Sequence, residues 1–326
     1  VSAFTNRAVD NALEALEAQG LTEMVRVGTE SGVREDMQEY RLDTSGDPAA
    51  CADELESAGV VAATTATCGS RALRTQSFDV AVVDEAGQLT EPGTLAAVAL
   101  ADRFVLVGDH EQLPPVVQSG DERLATSLFE RLHDAHPDAA VMLDRQYRMS
   151  QRIQAFASRE FYDGALRPAT PEVAGGRLSD LSGVDGEALP ETLQQGVRFV
   201  DPDGRREGNA NPVEADRVAR VVREYLAAGV DPDDVVVIAP FRAQVAEIAR
   251  RVDVAVDTVD RFQGSSAAVV VVSFVATGDL EGPIFEDTRR VNVALTRAKK
   301  ALALVGDADA LGSDPFYARM LDWARR

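Results

Sequence analysis

Asp84 and Glu85 stand side by side at the end of the apolar run Phe78–Val83. An Asp that holds Mg²⁺ beside a Glu that activates water is the pairing nucleotide hydrolysis needs. For a bare Asp-Glu the plainer reading is a solvated acidic turn. A second stretch shifts the balance: Phe104–Val107 closes into Gly108, Asp109, His110, Glu111, Gln112, Leu113, Pro114 and Pro115. The amide of Gln112 both donates and accepts, which suits sensing a phosphate or placing a water. Pro114 and Pro115 stiffen the exit and stop the strand.

Both stretches must be delivered by strands. Phe78–Val83 is short, apolar and rich in β-branched residues, the pattern of a buried parallel strand. Thr90–Ala101 reads as a helix before the next strand. Ligands of open α/β sheets bind outside the carboxyl ends of strands, so both turns point at one site. The start repeats the pattern: a strand over Val1–Phe4 runs through Thr5 and Asn6 into a helix ending near Gly20. Small polar residues at such a junction can hold a phosphate through backbone N–H groups or simply cap the helix. Val60–Ala63 is a strand whose end carries Thr64 and Thr65. Residues 28–58 read as a short polar insertion with a helix near Ala49–Ser57.

His136, Pro137 and Asp138 suggest a boundary, giving domains 1–136 and 137–326. The second domain is expected to open with a strand over Ala140–Leu143 that empties into Arg145–Met149. Ser150 then caps a helix. A long helix covers Pro212–Ala228, and Val235–Ile238 is a strand leaving through Arg242 and Gln244. Ala268–Phe274 is a strongly apolar strand, preceded by Asp257–Gly264. Arg289–Lys300 reads as one helix with Val291, Ala294, Leu295 and Ala298 inward and Asn292, Thr296 and Arg297 elsewhere on its surface. Ala301–Val305 is the last strand.

At 326 residues the chain suits two α/β domains,. Cys51 and Cys68 are too few for a disulfide framework or a cysteine-ligated cluster. No apolar run is long enough to span a bilayer and no signal peptide is visible, so a soluble, cytoplasmic protein is expected. The net charge is −21 and the only lysines are Lys299 and Lys300. Such a charge normally argues against nucleic acid. An acidic, lysine-poor surface also fits a high-salt cytoplasm, where the Debye length is only about 3 Å and net charge says little about partners. An ordinary acidic protein from a GC-rich genome fits as well.

Taken together, Ala3–Leu13, Val82–Gln88, Val107–Pro115, Gln146–Met149, Thr258–Gly264 and Arg289–Lys299 resemble superfamily 1 helicases of the 5′-to-3′ branch. They stand in that family's order and at its spacings over nearly the whole chain. The replication helicase–nucleases that process Okazaki flaps and DNA ends are the most similar group. The resemblance implies two RecA-like P-loop NTPase domains with parallel sheets, the first incomplete, using ATP and Mg²⁺ on single-stranded DNA. An RNA helicase of the nonsense-mediated-decay type is the alternative, as is a non-catalytic single-strand binding module for these residues alone.

By the same resemblance, Asp84 coordinates Mg²⁺, Glu85 polarises the attacking water, and Gln112 links the γ-phosphate to the strand. Arg148 and Arg297 act as arginine fingers across an interdomain cleft. Gly108, Asp109, Gln146, Asp260, Gln263 and Gly264 belong to the nucleotide-binding set. Thr5, Asn6, Thr64 and Thr65 contact nucleic acid from the first domain, Arg242 and Gln244 from the second. A monomer is expected, with a fused or associated nuclease upstream and no membrane partner. The chain departs from the family in having Ser265 and Ser266 after Phe262-Gln263-Gly264, where an Arg–acid pair is common. It also contains no Gly-x-x-x-x-Gly-Lys-Ser/Thr, so the phosphate loop and its lysine are expected to lie before Val1.

Overall fold

The computed structural model describes residues 1–326 other than 44–46, 118–123, 186–189, 203, 263 and 279. Two compact units divide it, Val1–Val141 and Met142–Arg326.

In the first unit β1 (Ser2–Ala3), β2 (Met24–Val27), β3 (Val60–Thr64), β4 (Phe78–Val83) and β5 (Ala101–Leu106) form a parallel sheet ordered β2-β3-β1-β4-β5. Parallel neighbours need crossover connections. After β1 the crossover is the helix Asn6–Glu17, which starts where it does because Thr5 Oγ1 accepts the Ala8 N–H at 3.2 Å,. Its inward face buries Val9 and Leu13 against Ala3, Met24 and Ala62. A second cluster joins Val83, Ala86, Leu89 and Ala97 to Val25, Val27 and Leu73. β5 is the outer strand, and Phe104 and Val105 on it are exposed.

Beneath the β1–β2 end of the sheet lies an ion pair that no local pattern announces. Arg26 is fully buried. Its Nε donates to Asp10 Oδ1 at 2.8 Å, Nη1 to the Val27 carbonyl at 2.7 Å and Nη2 to Asn6 Oδ1 at 2.8 Å. The other Asp10 oxygen accepts the Arg34 N–H at 3.0 Å. Every branch of the pair is thus hydrogen-bonded, the condition under which charge survives burial.

The second unit opens with a two-stranded parallel pair, β6 (Arg145–Gln146) and β7 (Arg167–Pro168). Its main sheet contains β8 (Val197–Val200), β9 (Val235–Ile238), β10 (Ala255–Asp257), β11 (Ala267–Ser273) and β12 (Ala298–Val305). All are parallel, in the order β10-β9-β11-β12-β8. β11 lies at the centre, and every one of its residues is buried. The helix Pro212–Ala227 covers one face with Ala215, Val218, Val222 and Tyr225.

Two sequence expectations give way here. Ala140–Leu143 is not a strand: Val141 and Leu143 are exposed, and nothing in the sheet pairs with them. Pairing begins one step later, where the Asp144 carbonyl accepts the Arg167 N–H at 2.7 Å. Nor is Arg289–Lys300 one helix. The helix is Arg289–Leu295, and Ala298, Lys299 and Lys300 already belong to β12. Ala, Lys and Leu favour helix locally, but ladders to β11 on one side and β8 on the other override that preference,.

Candidate functional site

β4 and β5 run in register to Val83 opposite Leu106, so the acidic turn and the Gly108–Gln112 turn leave the sheet together. The Ala86 N–H donates to the Val107 carbonyl at 2.8 Å, and the Asp84 N–H to the Ser2 carbonyl at 2.7 Å. The two turns touch backbone to backbone. A Cβ on Gly87 would lie 2.9 Å from the Asp109 carbonyl oxygen, and one on Gly108 would lie 2.8 Å from the Gly87 nitrogen. Glycine is therefore required at both positions for steric reasons.

Glu85 sits at φ 52°, in the left-handed region. For a residue with a Cβ this costs on the order of 1–3 kcal/mol, and such strain concentrates at functional sites. The Glu85 N–H donates to Asp84 Oδ1 at 2.9 Å, and Gln88 Nε2 donates to Glu85 Oε2. Asp109 acts on its own turn: Oδ1 accepts the Glu111 N–H at 3.0 Å and Oδ2 accepts Gln112 Nε2 at 2.8 Å. Gln112 is thereby fixed by Asp109, and Gly108 serves close approach. Among the described residues no three His, Cys, Asp or Glu side chains are placed to hold a metal ion together.

The remaining first-unit residues fall along the same carboxyl edge, because β1 and β3 pair with Ala3 opposite Thr64. Thr5 is exposed and caps a helix; Asn6 is exposed but anchored by Arg26. Thr64 and Thr65 are buried. Thr64 Oγ1 accepts the Thr67 N–H at 3.2 Å, capping the short helix Thr65–Cys68.

In the second unit Gln146 builds the turn that carries Arg148. Its Oε1 accepts the N–H groups of Arg148 at 2.8 Å and Met149 at 2.7 Å. Its Nε2 donates to the Met149 carbonyl at 2.8 Å and to Gln154 Oε1 at 2.9 Å. Arg148 Nη1 reaches the Thr296 carbonyl at 3.1 Å, which brings the two sequence-predicted fingers to neighbouring positions. Contrary to the helical-surface expectation, Asn292, Thr296 and Arg297 are all buried. The helix Arg289–Leu295, which carries Asn292 and leads directly into Thr296 and Arg297, lies among Gln151–Phe161, β11 and β12, so it has little outer face. Arg297 donates from Nε to the Val293 carbonyl at 3.1 Å and from Nη1 to the Ser265 carbonyl at 3.1 Å.

Asp260 accepts from Arg290 at 2.7 Å, Gly264 turns at φ 76°, and Gln263 lies outside the described residues. Arg242 is half of an exposed pair with Asp257, 2.8 Å apart. Its near neighbour Gln244 is fully buried and bonded to Asn211 and Ser273, an inward orientation the sequence reading did not anticipate.

Gln244 belongs to a cluster around Glu214, which the sequence reading missed. The Asn-x-x-Glu spacing of Asn211 and Glu214 before an apolar run was the available signal; Asn211 Oδ1 accepts the Glu214 N–H at 3.1 Å. Glu214 Oε1 accepts from Ser273 Oγ at 2.5 Å and from the N–H of Val275, held at φ 54°, at 2.9 Å. Its Oε2 has no hydrogen-bond partner among the described residues. Burial pushes the carboxyl from 4.5 up to about 7, outweighing the hydrogen bonds that lower it.

The folded state therefore keeps a proton that the unfolded chain releases. This contribution is complete below about pH 4.5 and declines as pH rises through about 7. Glu214→Gln is expected to remove a component of about 2.5 kcal/mol from the stability difference between pH 5 and pH 8, read by denaturant melts at both. An unchanged difference would mean the carboxyl titrates as if exposed.

Residues 124–309 match an AAA domain family, and residues 48–120 a second family of the same description. The DNA replication ATP-dependent helicase/nuclease JHS1 of Arabidopsis thaliana is 36% identical, covering 99% of this chain and 26% of its own length. The uncharacterized ATP-dependent helicase MJ0104 of Methanocaldococcus jannaschii is 35% identical over 83% of this chain and 42% of its own. Human DNA replication ATP-dependent helicase/nuclease DNA2 is 31% identical over 99% of this chain and 34% of its own. This chain therefore spans less than half of each of these relatives. Among solved structures, an arterivirus nonstructural protein 10 helicase in complex with DNA superposes with a TM-score of 0.50 at 16% identity, covering 96% of this chain and 55% of that one. At that identity the likeness speaks for the fold, two α/β units of RecA-like kind. The chain belongs to the AAA domain family, as a member of the superfamily 1 helicases.

Proposed function

We propose that this chain is the motor core of an ATP-dependent 5′-to-3′ helicase or translocase acting on single-stranded DNA in replication or repair. The observation that carries the reading is the fused pair of turns, with Asp84 and Glu85 on one and Gln112, pinned by Asp109, on the other. Mg²⁺ is commonly held by one or two carboxylates plus phosphate oxygens and water, so a single strand-end Asp84 suits it. Bound there with nucleotide, the ion would neutralise charge on the β- and γ-phosphates. Glu85 orients the attacking water and takes its proton, while Gln112 reports the state of the phosphate to the strand. Arg148 and Arg297 supply guanidinium charge, whose planar fork matches phosphate oxygens. Relatives named as DNA replication helicase/nucleases favour DNA over RNA and a nuclease as the accessory activity.

The test uses a polypeptide carrying this chain together with a phosphate-binding loop. ATP hydrolysis stimulated by single-stranded DNA, with displacement in the 5′-to-3′ direction, is expected. Equal stimulation by a matched RNA would reject the DNA assignment, and no stimulation by either would reject the motor. The 326 residues alone contain no Gly-x-x-x-x-Gly-Lys-Ser/Thr, and hydrolysis no greater than background is expected from them,. Their binding to oligo(dT) should respond weakly to salt, because with only two lysines and 54 acidic residues against 33 basic ones counterion release contributes little,. A slope of log K against log salt steeper than about −6, the mark of roughly eight neutralised phosphates, would contradict this.

A further inference from the structure

The second unit contains a groove of about 680 Å³ between the helix Gln151–Phe161 and the segment 164–174. It contains none of the sequence-predicted site residues. Three arginines line it, Arg145, Arg159 and Arg167, and none of its fourteen lining residues is an Asp or Glu. That is unexpected in a chain with 54 acidic residues against 33 basic ones, and it fixes the sign of the ligand. We propose that this groove is a subsite for the phosphodiester backbone of a nucleic acid, an assignment that rests on the motor reading above.

The chemistry narrows the ligand. The side chains of Arg145 and Arg159 are 60% and 54% exposed, so their guanidinium groups meet solvent and any incoming anion. Asp144 approaches Arg145 only to 3.8 Å, beyond hydrogen-bond range,. Arg167 is exposed and has no acidic partner among the described residues. Arg159 donates to Glu160 at 2.9 Å and lies over the Phe156 ring, so Arg145 and Arg167 contribute most of the available charge. Guanidinium forks match phosphate oxygens in pairs. Among the described residues no aromatic side chain lines the groove, which leaves no platform for base stacking and directs recognition to the backbone,. An acidic peptide would need a deep apolar anchor, and the apolar lining here is small: alanines, prolines and Leu166,.

The groove is also joined to the turn of Arg148. Its lining residue Gln154 is buried, donates to the Leu166 carbonyl at 2.9 Å and accepts from Gln146 at 2.9 Å. One side chain therefore separates a strand held here from the turn that presents a finger.

The experiment measures anisotropy of a labelled oligo(dT) of about 20 nucleotides, long enough to cover more than one contact region. It compares the protein with Arg145→Gln/Arg167→Gln across a salt series. The double variant should bind more weakly at low salt, with a slope of log K against log salt shallower by about 1.4, two single-strand contacts of about 0.7 each. A peptide nucleic acid of the same sequence, whose backbone is uncharged, should bind both proteins alike. If the double variant melts early, the single variants decide, each expected to reduce the slope by about 0.7. Identical slopes, or loss of polyglutamate binding with DNA binding unchanged, would overturn the subsite and leave the motor reading intact. If the unmodified protein binds no strand at all, both fall.

Discussion

Glu85→Gln, in a polypeptide that also carries a phosphate-binding loop, lowers ATP turnover by about 10²- to 10⁴-fold, the range for losing a positioned general base. The amide has the shape of the carboxylate, and its oxygen can still accept from Gln88. The left-handed backbone at Glu85 should also persist, since it is set by the turn and by the Asp84 contact to the Glu85 N–H. The fall belongs in kcat, with KM for ATP and affinity for the strand unchanged, because only the transition state needs the proton taken. Single-turnover hydrolysis together with a thermal melt separates the outcomes. A variant that melts normally and keeps its kcat would remove Glu85 from the chemistry.

Asp10→Ala should destabilise the first unit by about 3–5 kcal/mol, the range for breaking a buried ion pair by removing one partner. Arg26 would keep its bonds to Val27 and Asn6 but lose the only carboxylate it touches among the described residues, inside a region water does not reach. The Arg34 N–H would lose its acceptor too. Asp10→Ala/Arg26→Met should recover part of the loss, since an apolar pair of similar volume is often as stable as a buried ion pair. Urea unfolding of the single and double variants measures both. A single-variant loss under about 1 kcal/mol would mean that solvent enters and hydrates Arg26.

Both predictions depend on side chains that the sequence exposed to very different degrees. Asp84, Glu85 and Gln112 were legible because strand runs ending in polar turns are a local pattern, and two such runs in succession imply one edge. Asp10 and Arg26 were not: they are sixteen positions apart, and although Asp10 lies in the Ala3–Leu13 stretch, nothing there names its partner. Arg242 and Gln244 show the limit of a motif: two positions apart, one faces solvent and the other is sealed under Asn211 and Ser273. Residues 289–300 failed differently. Helix-forming residues there are drawn into a ladder between β11 and β8, and no window of sequence contains those neighbours. The strand expected at 140–143 was apolar enough but has no pairing partner, and pairing rather than hydrophobicity makes a strand,.

The glycines between the two turns constrain how this site can change over generations. A defect caused by an oversized side chain can usually be relieved by trimming the neighbour it strikes. Gly87 and Gly108 offer no such route, because the atoms that a new Cβ would strike are the Asp109 carbonyl and the Gly87 amide nitrogen, present whatever residue is encoded there. In a selection for suppressors of Gly87→Ala or Gly108→Ala, intragenic second-site revertants should be absent from the facing turn, and recovered clones should restore the glycine codon itself.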